Sequence, residues 1–226
     1  MYKQLIKTVE YSGRNQMVIN EKKTKMMVFN PCTSIDFMPE FKLNNNQLEV
    51  VEEMRLLGVI LRSDMKWTSN SENIVKKGYQ RLWMMRRLKE LGANEDELLD
   101  VYMKQVRSIL ELAVPAWHGA ISQAERDEIE RVQKAALHIA QGDKYTSYRN
   151  ALKQSKLQSL ESRRDKLCLK FAKKAEKDPK HRQWFKKAEV SKTRQKPTKY
   201  VKVIAHHDRY KKSPISHLTR LLNKEK

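Results

Sequence analysis

Apolar residues recur along this chain with two different periods. In the first third they come as short runs: Met26–Phe29, Phe41-Lys-Leu43, Leu48-Glu-Val-Val51 and Met54–Leu61, with polar stretches between them. Runs of this length, bounded by turn formers, predict strands. Asn44-Asn-Asn-Gln47 between the second and third runs predicts the tip of a hairpin. Ahead of them, Leu5, Ile6 and Val9 fall at helical spacing and stop at Ser12-Gly13.

From Thr68 the period becomes 3.6. Thr68-Ser-Asn-Ser-Glu72 supplies capping residues for a helix marked by Ile74, Val75, Tyr79, Leu82 and Leu88 and ended by Gly92. Asn94-Glu-Asp-Glu97 opens a second, with Leu98, Leu99, Tyr102, Met103, Val106, Ile109, Leu110 and Ala113 on one face. Pro115-Ala-Trp-His-Gly119 interrupts the pattern. Ile129, Val132, Ala136, Leu137 and Ile139 resume it as far as Gly142, and a short helix follows over 148–152. The last strong helix runs from Leu157 to Glu176, with Leu160, Leu167, Cys168, Phe171 and Ala175 inward. Arg163, Arg164, Lys166, Lys170, Lys173 and Lys174 face outward, and Asp178-Pro179 stops it. The expected fold is therefore α+β. It has a small antiparallel sheet with one N-terminal helix (1–67), then a helical bundle (68–180), then a basic, partly disordered tail (181–226) that is mobile apart from an amphipathic turn over 214–222.

Charge sharpens this outline. The 226 residues hold 47 Lys and Arg against 27 Asp and Glu, a formal net charge of +20. From His181 onward there are 14 Lys and Arg against 3 Asp and Glu, more than half of that excess. A protein so basic is drawn to polyanions, because phosphate releases its condensed counterions on contact. No run of 18 apolar residues and no signal-peptide core is present, so a membrane span and secretion are not expected. Cys32 and Cys168 lack metal-ligand spacing and read as reduced thiols.

Several stretches together resemble a known family. Asn20-x-x-Lys-Thr-Lys-x-Met-x-Phe29 followed by Leu56-Leu-Gly-Val59 resembles the late palm of reverse transcriptases from non-LTR retrotransposons of the LINE, CR1, RTE and Jockey type. Tyr102-Met-x-x-Val-Arg-Ser-x-Leu-Glu111, Pro115-x-Trp-His118 and Gly142-x-x-Tyr-x-x-Tyr148 follow the same family in order. So does Leu157-x-Ser-Leu-Glu-x-Arg-Arg-x-Lys-Leu-Cys-Leu-Lys-Phe-Ala-Lys-Lys174, the most specific match. The resemblance implies the C-terminal part of an RNA-directed DNA polymerase: primer grip, thumb and connection, beginning after the catalytic aspartates. The family's metal centre uses clustered carboxylates to hold two divalent ions. No Asp-Asp pair occurs anywhere in this sequence, so no polymerase activity is expected of these residues alone. Mg²⁺ is expected only for the full-length family enzyme.

The resemblance assigns primer–template contacts, RNA or DNA, to Lys22, Lys23 and Lys25 in a basic corner and to Leu57 and Gly58 in the primer-grip strand. Lys23 is a weak carry-over as a leaving-group acid, against a plain solvated lysine. Gly58 is either a close-approach glycine or a bulge glycine. Arg163, Arg164, Lys170 and Lys173 form the expected phosphate-facing stripe, against a simple wet helix face. His118, with no second ligand at metal spacing in the sequence, reads as a packing histidine, and Trp67 as a packing residue. Neither a metal site nor a small-molecule substrate is expected, and the location is nuclear or cytoplasmic. The alternatives are a stand-alone basic helical module that binds nucleic acid without catalysis, and a retroelement remnant without function.

Overall fold

The computed structural model describes residues 2–29, 41–43, 46–188, 199–201 and 208–224. The chain divides after Lys66 into two units, each treated separately below. Cys32 and the hairpin tip at Asn44-Asn45 lie outside the described residues.

The first unit opens with helix α1, Tyr2–Arg14. It runs one residue past Gly13 and is stopped by Gln16 at φ 54°. A turn over Glu21–Lys23 is capped by Asn20, whose side chain accepts from the Lys23 backbone N–H. The strands are β1 (Lys25–Met26), β2 (Lys42–Leu43), β3 (Asn46–Gln47), β4 (Glu49–Val50), β5 (Glu53–Leu56) and β6 (Val59–Arg62). They do not join into one antiparallel sheet. β2 pairs antiparallel with β3 and β5 with β6, while β1 pairs with β4 in parallel.

The second unit is a helical bundle. Helix α2, Thr68–Glu90, takes Trp67 as its cap residue, whose side chain makes no capping hydrogen bond. The Thr68–Ser71 cluster thus lies inside the helix, with Asn70 and Ser71 buried. Its far end follows expectation. Gly92 sits at φ 90°, its N–H reaches the Lys89 carbonyl, and the Ala93 N–H reaches the Leu88 carbonyl. Both bonds of a Schellman ending are present.

Asn94 and Glu97 close a capping box on α3, Glu95–Val101. A π-helical turn over Tyr102–Val106 then leads into α4, Arg107–Leu110. Buried Leu98, Tyr102, Val106 and Leu110 are spaced by four throughout. In a regular α-helix such a series drifts by about 40° per step. The wider π turn rotates the chain back, so all four stay on the core side.

Ala113 at φ 51° breaks the helix before α5, Val114–Trp117. Helix α6, Gln123–Gln141, starts on a Ser122–Glu125 capping box. Next come α7, Tyr148–Gln154, and α8, Leu160–Lys177. α8 begins three residues later than the apolar pattern suggests, because Ser159 caps it and accepts from the Ser162 N–H. Within 181–226, Phe185, Tyr200, Leu218 and Leu222 join the core. The short α9, Asp208–Lys211, precedes α10, Pro214–Lys224, which is a full helix rather than a single turn. Asn223 holds the Tyr200 backbone at both its N–H and its carbonyl, at 2.9 and 3.0 Å.

Candidate nucleic-acid interface

Helix α8 is positioned from its N-terminus. Glu130 on α6 accepts from the backbone N–H groups of Leu160 and Glu161 at 3.0 and 3.2 Å. A carboxylate there satisfies two orphan donors and opposes the positive end of the helix dipole. Glu130 also accepts from the Tyr148 hydroxyl. That hydroxyl in turn takes a bond of 2.7 Å from Gln133, which also accepts from buried Tyr102. This polar network inside the bundle fixes the register of α8 against α6 and α7. Burial pushes both tyrosine hydroxyls up from their ordinary values, so they stay protonated donors.

With that register set, the inner face of α8 is Leu160, Arg164, Cys168, Ala172 and Ala175, all buried. The expected stripe is therefore divided among different roles. Arg164 points inward and is fully buried, a correction to its outward placement. Its Nε–H donates to His118 Nδ1 at 3.2 Å, while Nη1 and Nη2 find no hydrogen-bond partner among the described residues. Burial lowers its pKa, opposed by the charge of Glu130. Arg163 is tied to Glu111, which Arg107 also approaches at 3.7 Å. Lys170 and Lys173 do face solvent, with Lys166, Lys174 and Lys177 beside them. Phe171, expected inward, is 40% exposed among them. Residues 166–175 contain four lysines and no carboxylate.

His118 is where three helices meet. Its ring is buried, and its Nε2 lies 3.2 Å from Asp165 Oδ1 on α8, whose same oxygen lies 3.4 Å from Nε2 of His217 on α10. The two imidazoles meet edge to face, 5.4 Å between centroids. Gly119 makes this possible, since a Cβ there would stand 2.5 Å from that of His217. Sequence spacing missed this cluster because its members come from distant helices. His118 is held below its ordinary pKa first by burial, with Asp165 opposing and Arg164 and Arg126 adding to the fall. The hydrogen bond to His118 comes first among the causes that hold the Asp165 carboxyl well below the usual range, with the His217 ring close by.

These three donor atoms lie within 4.8 Å of one another, a spacing that a metal ion accepts. The hydrogen bonding points elsewhere. With Arg164 donating to Nδ1, the neutral His118 ring carries its proton on Nε2 and offers Asp165 an N–H rather than a lone pair. A zinc ligand must present the lone pair, and two guanidinium groups already supply positive charge nearby. The cluster is a junction that fastens α5, α8 and α10. Cys168 beside it is buried, and its thiol is pushed up to about 12, so it is a packing group rather than a nucleophile.

In the first unit, Lys22 and Lys23 are exposed in the Asn20-capped turn. Lys25 pairs with Glu49 at 3.1 Å on the surface. Leu57 and Gly58 lie not within a strand but at the two-residue turn between β5 and β6, at φ 49° and 89°. Two successive positive φ values give the twist a tight hairpin needs. Leu57 is thereby left 91% exposed at the tip. Trp67 packs against the bundle core.

No family model, curated protein or solved structure matches the chain. No helix among the described residues is long and apolar enough to cross a membrane.

Proposed function

We propose that this chain is the C-terminal part of a non-LTR retroelement reverse transcriptase, and that its own role is to hold RNA or DNA by the phosphate backbone. The observation that carries the binding role is the outer face of α8, where Lys166, Lys170 and Lys174 stand without an intervening acid. A run of exposed lysines attracts phosphate and releases its condensed counterions on contact. The face gives no base-reading geometry, so the binding is indifferent to sequence. Lys22 and Lys23 offer a second exposed basic pair on the first unit. Such a protein meets its partner in the nucleus or the cytoplasm. The polymerase assignment rests on the ordered motifs from Asn20 to Lys174.

The test is binding of the 226-residue chain to a short duplex at several salt concentrations. Affinity is expected to fall steeply with salt, and the triple variant Lys166→Gln/Lys170→Gln/Lys174→Gln is expected to reduce the slope by roughly 2 to 3 for B-DNA. An unchanged slope removes α8 as the interface. The polymerase assignment is tested separately by the coding sequence upstream of Met1. An in-frame pair of aspartates on a palm hairpin supports it, and a stop codon with no such motif opposes it, leaving the stand-alone binding module.

A further inference from the structure

One exposed surface on the bundle is explained neither by packing nor by the α8 lysines. On α2, Ile74, Gly78, Leu82 and Met85 are buried. The opposite side carries Lys76, Tyr79, Gln80, Trp83 and Arg87, with Arg86 on its flank, and all of them are exposed. Trp83 is 64% exposed and Tyr79 39%. They stand at i and i+4, so their rings are neighbours on the helix surface. Tyr79 counts among the apolar positions of the sequence pattern, yet it faces water. An indole and a phenol on a wet face add little to stability, because their apolar area stays hydrated.

The charges beside the rings say what suits them. Residues 75–89 contain six lysines and arginines and no carboxylate. A helix that used its outer face only for solubility would alternate signs at i and i+4. Arg87 pairs with Glu90 at 2.6 Å, beyond the aromatic pair. Lys76 lies one turn before Tyr79, and Arg86 one turn after Trp83. Neither has an ion pair among those of the described residues. From Lys76 to Arg87 the stripe is about 16 Å long.

We propose that this face of α2 binds single-stranded nucleic acid, with unpaired bases stacked on Trp83 and Tyr79 and phosphates held by Lys76 and Arg86. Aromatic platforms flanked by cations are what sequence-tolerant strand binding needs, because every base has a π-face and every nucleotide a phosphate. A duplex buries its base faces and has nothing to stack. An acidic protein satisfies the cations but leaves the rings without flat partners. The inference rests on the reading that the partner is nucleic acid, and it adds that one surface takes unpaired strand.

The experiment uses the full chain with oligo(dT), a duplex of equal charge and poly-glutamate, followed by tryptophan fluorescence and anisotropy. Of the four tryptophans, Trp117 is fully buried, Trp67 and Trp184 pack on the core, and Trp83 is exposed. Quenching by oligo(dT) that is absent in Trp83→Phe therefore reports base stacking on Trp83. Trp83→Ala is expected to weaken oligo(dT) roughly 10-fold or more while leaving its salt slope and duplex binding unchanged. Trp83→Phe is expected to keep most of the affinity. Lys76→Gln/Arg86→Gln is expected to lower the single-strand salt slope by about 1.4. If Trp83→Ala leaves oligo(dT) affinity intact, or weakens poly-glutamate as much, this inference fails while the α8 reading stands. If the wild-type chain binds neither nucleic acid, both fail.

Discussion

The two units bury apolar residues very differently. Among the described residues, the first unit encloses Leu43, Leu48 and Val59, whereas the second encloses twenty-five apolar side chains in one cluster. The first unit also leaves Tyr11, Met17, Val18, Phe29, Leu56 and Leu57 substantially exposed. Its strands are two to four residues long, and its ion pairs lie at the surface. Surface pairs contribute little, and isolated two-stranded ribbons are marginal in water. The bundle instead combines a contiguous core, two capping boxes and a Schellman ending. Both units have strand- or helix-like sequence patterns. Only the second has enough layers to cover the faces those patterns create.

The largest effect expected from this contrast is on separated pieces. Residues 67–226 should unfold in one cooperative transition, and residues 1–66 should show none, with calorimetry on each piece as the check. Loss of cooperativity in the bundle piece would mean that the first unit supplies part of its stability. Next in size is Trp117→Ala, which removes a fully buried indole that donates to the Leu112 carbonyl at 2.8 Å. It should cost the bundle about 3–5 kcal/mol in a urea titration. An equally drastic truncation at Leu57, 91% exposed, should stay within about 0.5 kcal/mol.

The His118 junction gives an intermediate effect with a definite sign. The folded ring protonates at lower pH than the unfolded ring, whose ordinary value is about 6.5. The unfolded state therefore binds more protons as pH falls below that value. The stability from the neutral ring is fully present above about pH 6.5 and is lost on acidification. Asp165, depressed in the fold, works in the same direction further down, holding above about pH 4 and failing below it. The urea midpoint should thus fall between about pH 7.5 and 5, and His118→Gln should flatten that fall. At the same junction, Arg164→Met should leave the bundle as stable or make it more so, by about 1–4 kcal/mol, because a desolvated guanidinium with two unbonded nitrogens is replaced by an apolar chain. A strong loss instead would show that the charge of Arg164 is compensated. A smaller loss than at Trp117 is expected for Gly92→Ala, about 1 kcal/mol by thermal melting, set by the left-handed φ of the helix ending.

Much of the bundle was legible in the residues. Gly92 and Gly142 marked helix ends, Asn94 with Glu97 marked a beginning, and the apolar period from Leu98 to Leu110 marked the buried side. What misled was the sign of a charge. Arg163 and Arg164 are adjacent, and both look like surface residues. Yet Leu160, Arg164, Cys168 and Ala172 share a four-residue spacing that puts Arg164 among the inward positions. Tyr79 and Phe171 failed in the opposite sense, as large apolar groups that the helix turns toward water. In the first unit, Leu57-Gly58 looks like the middle of an apolar strand, and only the pairing of β5 with β6 shows it to be the turn.

The sequence alone determined that the second unit is helical, that helices end at Gly92 and Gly142 and one begins at Asn94, and that the chain is strongly basic. Those properties depend on neighbours within a turn or two, so local spacing contains them. The tertiary structure alone decided which cations are free. Glu111 takes Arg163, the core takes Arg164, and Lys76 and Lys170 are left to the solvent. It also brought His118, Asp165 and His217 together, since their meeting depends on how α5, α8 and α10 pack. Packing of distant helices is a property of shape, and no local spacing encodes it.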